Sequence, residues 1–124
     1  MSVLIDTGVW LRFFRGERQG LVARPWIASG EAMVHPFVFG ELLLGGLSTA
    51  NDTLMHSLAW CDVATPGEIC DFIRRSGLSG KGVGWVDSAL LVTARDADAP
   101  LATYDSRLAR CARQLGIAIP VAHA

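Results

Sequence analysis

Four acidic residues stand apart in this 124-residue sequence by where they fall: Asp6, Glu41, Asp87 and Asp105. Asp6 directly follows the apolar run Val3-Leu4-Ile5, and Asp105 follows Leu101-Ala102-Thr103-Tyr104. Glu41 sits between Phe39-Gly40 and Leu42-Leu43-Leu44, and Asp87 between Trp85-Val86 and Ala89-Leu90-Leu91-Val92. A carboxylate amid apolar residues is costly to bury unless it is paired or bound to a metal. The other acids (Glu17, Glu31, Asp52, Asp62, Glu68, Asp71, Asp96 and Asp98) lie mostly in polar or turn contexts and read as caps or solvated charges. Capping alone also accounts for Asp6 and Asp105. It accounts poorly for Glu41, which comes too late in its helix.

Carboxylates gathered in one cleft repel one another by about 4 kcal/mol per pair at ~4 Å and an effective dielectric near 20. A divalent cation removes that penalty, and an all-oxygen donor set suits Mg²⁺ or Mn²⁺ rather than zinc. Such an ion can hold a phosphate oxygen, lower the pKa of a bound water and stabilise a leaving oxygen. The chemistry implied is hydrolysis of a phosphodiester. His35, His56 and His123 are scattered without ligand spacing, and Cys61, Cys70 and Cys111 make an odd set with no C-x-x-C. Neither a zinc site nor a disulfide framework is expected.

The elements that must position the acids follow from local signals. Val3-Leu4-Ile5 reads as a first strand, and Asp6-Thr7 caps a helix running to about residue 15. A second helix is expected over 21–29, a strand over 32–34, and a helix from Pro36 to Leu44 that Gly45-Gly46 stops. A further helix is expected over 48–60 and a short strand over 62–64. Thr65 with Glu68 three residues on matches a capping box opening the next helix. Residues 77–84 form a glycine-rich loop before a strong helix over 85–95. A strand over 101–103, a helix capped by Asp105-Ser106 and ended by Gly116, and a strand over 117–119 complete the chain. Short apolar strands alternating with helices imply an α/β three-layer sandwich: a short parallel sheet flanked by helices, in one domain over 1–124. Ligands bind such a sheet outside the carboxyl ends of its strands, where the four acids can converge.

Apolar residues make up 51% and charged residues 19%, which excludes a disordered chain. No apolar run approaches the ~20 residues of a membrane span, and the start lacks a signal peptide's basic region, so a cytoplasmic protein without membrane association is expected. The net charge of −1 makes the whole molecule no trap for a polyanion.

Four blocks in order, Val3-Leu4-Ile5-Asp6-Thr7, His35-Pro36-Phe37-Val38-Phe39-Gly40-Glu41-Leu42, Gly82-Val83-Gly84-Trp85-Val86-Asp87 and Leu101-Ala102-Thr103-Tyr104-Asp105, are similar to those of PIN domains. The sequence resembles the VapC type of toxin ribonuclease from type II toxin–antitoxin pairs along essentially its whole length. The resemblance implies Mg²⁺- or Mn²⁺-dependent cleavage of RNA by Asp6, Glu41, Asp87 and Asp105, with Thr103 as a supporting hydroxyl. It also implies a homodimer and a cognate antitoxin whose tail covers the site. Gly8 stands where the family often has Ser or Asn, and Ser88 where it commonly has Ala.

Beside the quartet, Thr7 reads as a cap that also supports Asp6. Arg12, Arg15 and Lys81 are candidate RNA contacts, whereas Arg107, Arg110 and Arg113 read as a solvated helix face. Trp10, Phe13 and Phe14 read as core or dimer packing, and Trp26, Trp60 and Trp85 as structural. A phosphoacceptor domain would want paired acids after the first strand and a late lysine; an aspartyl phosphatase would want D-x-D. Asp6-Thr7-Gly8 meets neither. The remaining alternative is a non-catalytic α/β module that binds RNA or a protein partner.

Overall fold

The computed structural model describes residues 1–121; His123 and the end of the domain expected over 1–124 lie outside the described residues. Val3, Leu4 and Ile5 form strand β1 (Val3–Ile5), and all three side chains are fully buried. A strand with no polar face belongs at the centre of a parallel sheet. β1 pairs in parallel with β2 (Ala32–Val34) on one side and with β4 (Leu101–Ala102) on the other, while β3 (Ala59–Trp60) pairs with β2. The order is therefore β3-β2-β1-β4. Leu4 lies opposite both Met33 and Leu101, and Ile5 opposite Ala102, so β1 and β4 end together.

Helices flank this sheet: α1 (Thr7–Phe14), α2 (Arg24–Ser29), α3 (Pro36–Leu44), α4 (Thr49–His56), α5 (Pro66–Arg75), α6 (Trp85–Asp96) and α7 (Ser106–Gln114). α6 is buried without interruption over residues 88–94, which makes it the inner helix of the α/β sandwich. Trp10 is fully buried and stacks on Phe14 at 5.5 Å, as core packing requires. The Thr65–Glu68 capping box is formed in both directions at the start of α5. Among the described residues no helix is long and apolar enough to cross a membrane.

Four elements depart from expectation. The helix expected over 48–60 stops at His56, and Ala59–Trp60 is drawn into the sheet beside Met33 and Val34. Cys61 N–H then donates to Val34 O at 3.0 Å, which ends the pairing, and residues 62–64 are not a strand. The helix expected over 21–29 divides into a 3₁₀ helix (Arg18–Ala23) and α2, because Pro25 lacks the N–H needed to carry an α-helix through it. The last expected strand, over 117–119, is reduced to a single parallel bridge between Leu101 and Ala118.

His35 is wholly buried at the N-cap of α3, its Nδ1 accepting from Phe37 N–H at 3.0 Å. Its proton therefore sits on Nε2, which has no partner among the described residues. Burial pushes its pKa down from 6.5 to about 4. Between those values the unfolded chain binds a proton that the folded one refuses, so stability falls as pH drops through that window, by about 3 kcal/mol in full. Denaturant midpoints measured from pH 7 to pH 4 should decline accordingly. His35→Asn, which keeps a side-chain acceptor at the cap, should flatten that limb while lowering stability overall.

Candidate active site

The strand order changes direction at β1: the chain steps outward through β2 and β3, then returns to place β4 on the other side of β1. That switch point opens a crevice at the carboxyl ends of β1 and β4. Asp6 is fixed there from several sides. Its N–H donates to Ala102 O at 3.0 Å, its Oδ1 accepts from Thr7 N–H at 2.8 Å, and its Oδ2 accepts from the Thr103 hydroxyl at 2.6 Å. Burial raises the Asp6 pKa above the usual carboxylate value, the Thr103 and Thr7 hydrogen bonds oppose that, and the Asp87 and Glu41 charges add to it.

Asp105 caps α7, its Oδ1 accepting from Arg107 N–H at 3.0 Å and Leu108 N–H at 2.9 Å. Its own N–H donates to Thr103 Oγ1 at 3.1 Å, so the buried Thr103 hydroxyl links Asp6 to Asp105. Asp87, half-buried in the first turn of α6, accepts from Gly84 N–H at 3.2 Å. Burial raises its pKa, the Gly84 bond opposes, and the neighbouring Asp105 and Glu41 charges push it further up. Capping of Asp6 and Asp105 is thus real, and it coexists with a shared site.

Glu41 differs from expectation. Its apolar neighbours Leu43 and Leu44 are themselves 49% and 91% exposed, and Glu41 is exposed too. No burial cost forces a partner upon it. The Thr7 hydroxyl instead fastens it to the crevice by donating to Oε1 at 2.7 Å. That bond joins residues 34 apart in sequence and leaves no local trace.

Asp6, Glu41, Asp87 and Asp105 line one cavity of about 320 Å³ together with Thr7, Gly8, Arg12 and Tyr104. Of the candidate RNA contacts, Arg12 lies on this wall; Arg15 pairs with Glu17 at 3.9 Å, and Lys81 is exposed in the loop over 77–84, neither lining the cavity. Arg107, Arg110 and Arg113 are exposed, with Arg107 lying over Gly82. Trp60 and Trp85 are 36% and 46% exposed, so they are surface residues more than core. Gly8 and Tyr104 form part of the wall although their residue types gave no chemical signal.

Among the described residues no three His, Cys, Asp or Glu side chains stand close enough together to hold a metal ion between them. The donor set is nonetheless all oxygen, with no His or Cys on the cavity wall. Glu41 Oε2, Asp87 Oδ1 and Asp105 Oδ2 stand outside the hydrogen bonds just described. Mg²⁺ keeps several waters and takes one or two carboxylates rather than a closed protein cage, so these residues fit it.

Comparison with known proteins gives the family and the fold. The family model described as PIN domain matches residues 3–114. The chain is 33% identical over 120 residues to Ribonuclease VapC32 of Mycobacterium tuberculosis, covering 94% of this chain and 95% of that protein. A toxin–antitoxin complex from Klebsiella pneumoniae contains a chain of the same fold, with a TM-score of 0.66 at 15% identity over 85% of this chain and 88% of that one. A crystal structure from Pyrobaculum aerophilum matches with a TM-score of 0.65 at 16% identity, over 98% of this chain and 90% of that one. On the family match and the full-length relative together, the chain belongs to the PIN-domain family.

Proposed function

We propose that this protein is a metal-dependent endoribonuclease, the toxin of a type II toxin–antitoxin pair, acting as one domain through Asp6, Glu41, Asp87 and Asp105. The observation that carries the reading is the meeting of four carboxylates from the ends of β1 and β4, from α3 and from α6 in one cavity. The likeness to Ribonuclease VapC32 supports RNA as substrate, and the Klebsiella toxin–antitoxin complex supports an antitoxin partner. A homodimer and a cytoplasmic site of action go with the same reading. The exposed Leu43, Leu44 and Trp85 beside the cleft supply apolar surface for a protein partner.

Carboxylates drawn from Asp6, Glu41, Asp87 and Asp105 would hold Mg²⁺ or Mn²⁺, which when bound neutralises phosphate charge and makes water more acidic. Thr103 and Thr7 hold Asp6 and Glu41 in place, and supporting hydrogen bonds of this kind orient ligand carboxylates. Glu41, exposed and held by a single hydroxyl, is placed to take a proton from the attacking water, and the hydrogen-bonded Asp6 and Asp105 keep the oxygen face of the cleft rigid. Mutual repulsion raises the cost of the empty site, so metal should stabilise the fold. Mn²⁺ at a hundred times its Kd adds about 2.7 kcal/mol, and the melting temperature should rise by several degrees. Asp6→Asn should abolish that rise. A non-catalytic interaction module predicts instead that metal leaves the wild-type melting temperature unchanged.

A further inference from the structure

Gly8 lies on the wall of the acidic cavity, and the structure shows what its lack of a side chain makes room for. A Cβ at residue 8 would lie 2.9 Å from Nη1 of Arg12. The guanidinium occupies the space a side chain would take, donating from Nη1 to Gly8 O at 3.0 Å and from Nε to Gln19 Oε1 at 3.2 Å. Its carbon sits 5.1 Å from the centre of the Tyr104 ring, and the Tyr104 hydroxyl donates to Gln19 O at 2.8 Å. Ring, amide and guanidinium therefore form one braced unit on the wall of the acidic cavity.

Arg12 lines a cavity containing four carboxylates, yet among the described residues it makes no ion pair with any of them. Arg15, Arg75 and Arg95 each pair with a nearby acid, at 3.9, 3.1 and 2.9 Å. An unrestrained arginine beside four anions would collapse onto one. Here the two described bonds consume two of five N–H donors, and the remainder stay available to an incoming anion. A cleft of carboxylates otherwise repels RNA phosphate, and the planar guanidinium fork matches phosphate oxygens.

The geometry points to Arg12 as the phosphate-positioning residue of the cleft, held ready by Gly8, Gln19 and Tyr104. Gly8 acts through Arg12 by leaving it room. The inference rests on the ribonuclease reading and adds how the substrate is gripped.

The test is steady-state cleavage of a short single-stranded RNA in Mn²⁺ by wild type, Arg12→Gln, Gly8→Ala and the double variant, each at several salt concentrations. Alanine is a better helix former than glycine, and the clash at residue 8 meets only the end of a flexible side chain, so Gly8→Ala should fold. Arg12→Gln should raise KM about tenfold with kcat little changed, and lower the salt slope of binding by about 1. Gly8→Ala should raise KM in the same direction and add nothing in the Arg12→Gln background. If wild type cleaves but Arg12→Gln keeps its KM and salt slope, the clamp is wrong while the ribonuclease reading stands. Full additivity of the two substitutions overturns the positioning role of Gly8. Absence of wild-type cleavage across a panel of RNAs overturns both readings.

Discussion

Asp87→Asn should yield a folded protein that cleaves RNA at least ~100-fold more slowly, the size expected when a group acting on the transition state is lost. Asparagine is nearly isosteric and its carbonyl can still accept from Gly84 N–H, so the first turn of α6 keeps its bond. What disappears is charge. Asp87 titrates high because it is partly buried and faces Asp105 and Glu41, so it is a strained anion in the metal-free protein. Removing that strain means the variant should melt no lower than wild type in metal-free buffer, even as activity collapses. Thermal melts and single-turnover cleavage on the same preparation check both halves, and retained cleavage would take Asp87 out of the site.

Gly20→Ala should destabilise the fold by about 4 kcal/mol, among the largest effects a single methyl can have. An added Cβ would lie 2.2 Å from Phe13 N, 2.3 Å from Arg12 C and 2.4 Å from Phe13 Cα. Those are backbone atoms of α1, so no rotamer change relieves the contact, and the 3₁₀ helix would have to separate from α1. The segment is also tied there by Glu17 N–H donating to Arg12 O at 2.9 Å. Gly40, inside α3 with nothing within 4 Å of an added Cβ, is the contrast, and alanine there should stabilise slightly. Urea denaturation distinguishes the pair; a loss at Gly20 below about 1 kcal/mol would mean the close approach is soft.

These two glycines illustrate what the sequence could and could not disclose. Gly20 reads as ordinary turn punctuation because its closeness to Phe13 exists only after the chain has folded back. Elements governed by neighbouring residues were legible: the buried run of β1, the caps at Asp6 and Asp105, and the Thr65–Glu68 box are all local chemistry. The strand Ala59–Trp60 was not, since two residues carry no period and pairing with β2 alone decides them. The acids themselves were visible by type and position. Apolar neighbours suggested that Glu41 is buried, whereas its α3 face is open and the Thr7 hydroxyl is what brings it to the cleft. Arg12 lies on α1 and Arg15 at its C-cap, and the two were equal candidates by sequence. Helical spacing separates them: residue 12 falls one turn after Gly8 and bonds its carbonyl, while Arg15 turns to Glu17.

The four carboxylates are proposed to form a single metal-dependent site for cutting RNA. The most direct measurement incubates purified wild type with a panel of RNAs in Mg²⁺, in Mn²⁺ and in excess EDTA, with Asp6→Asn alongside. Fragments should accumulate with either metal, vanish in EDTA, return when metal is restored, and be lost in Asp6→Asn. Undiminished cleavage in EDTA or by Asp6→Asn would contradict it.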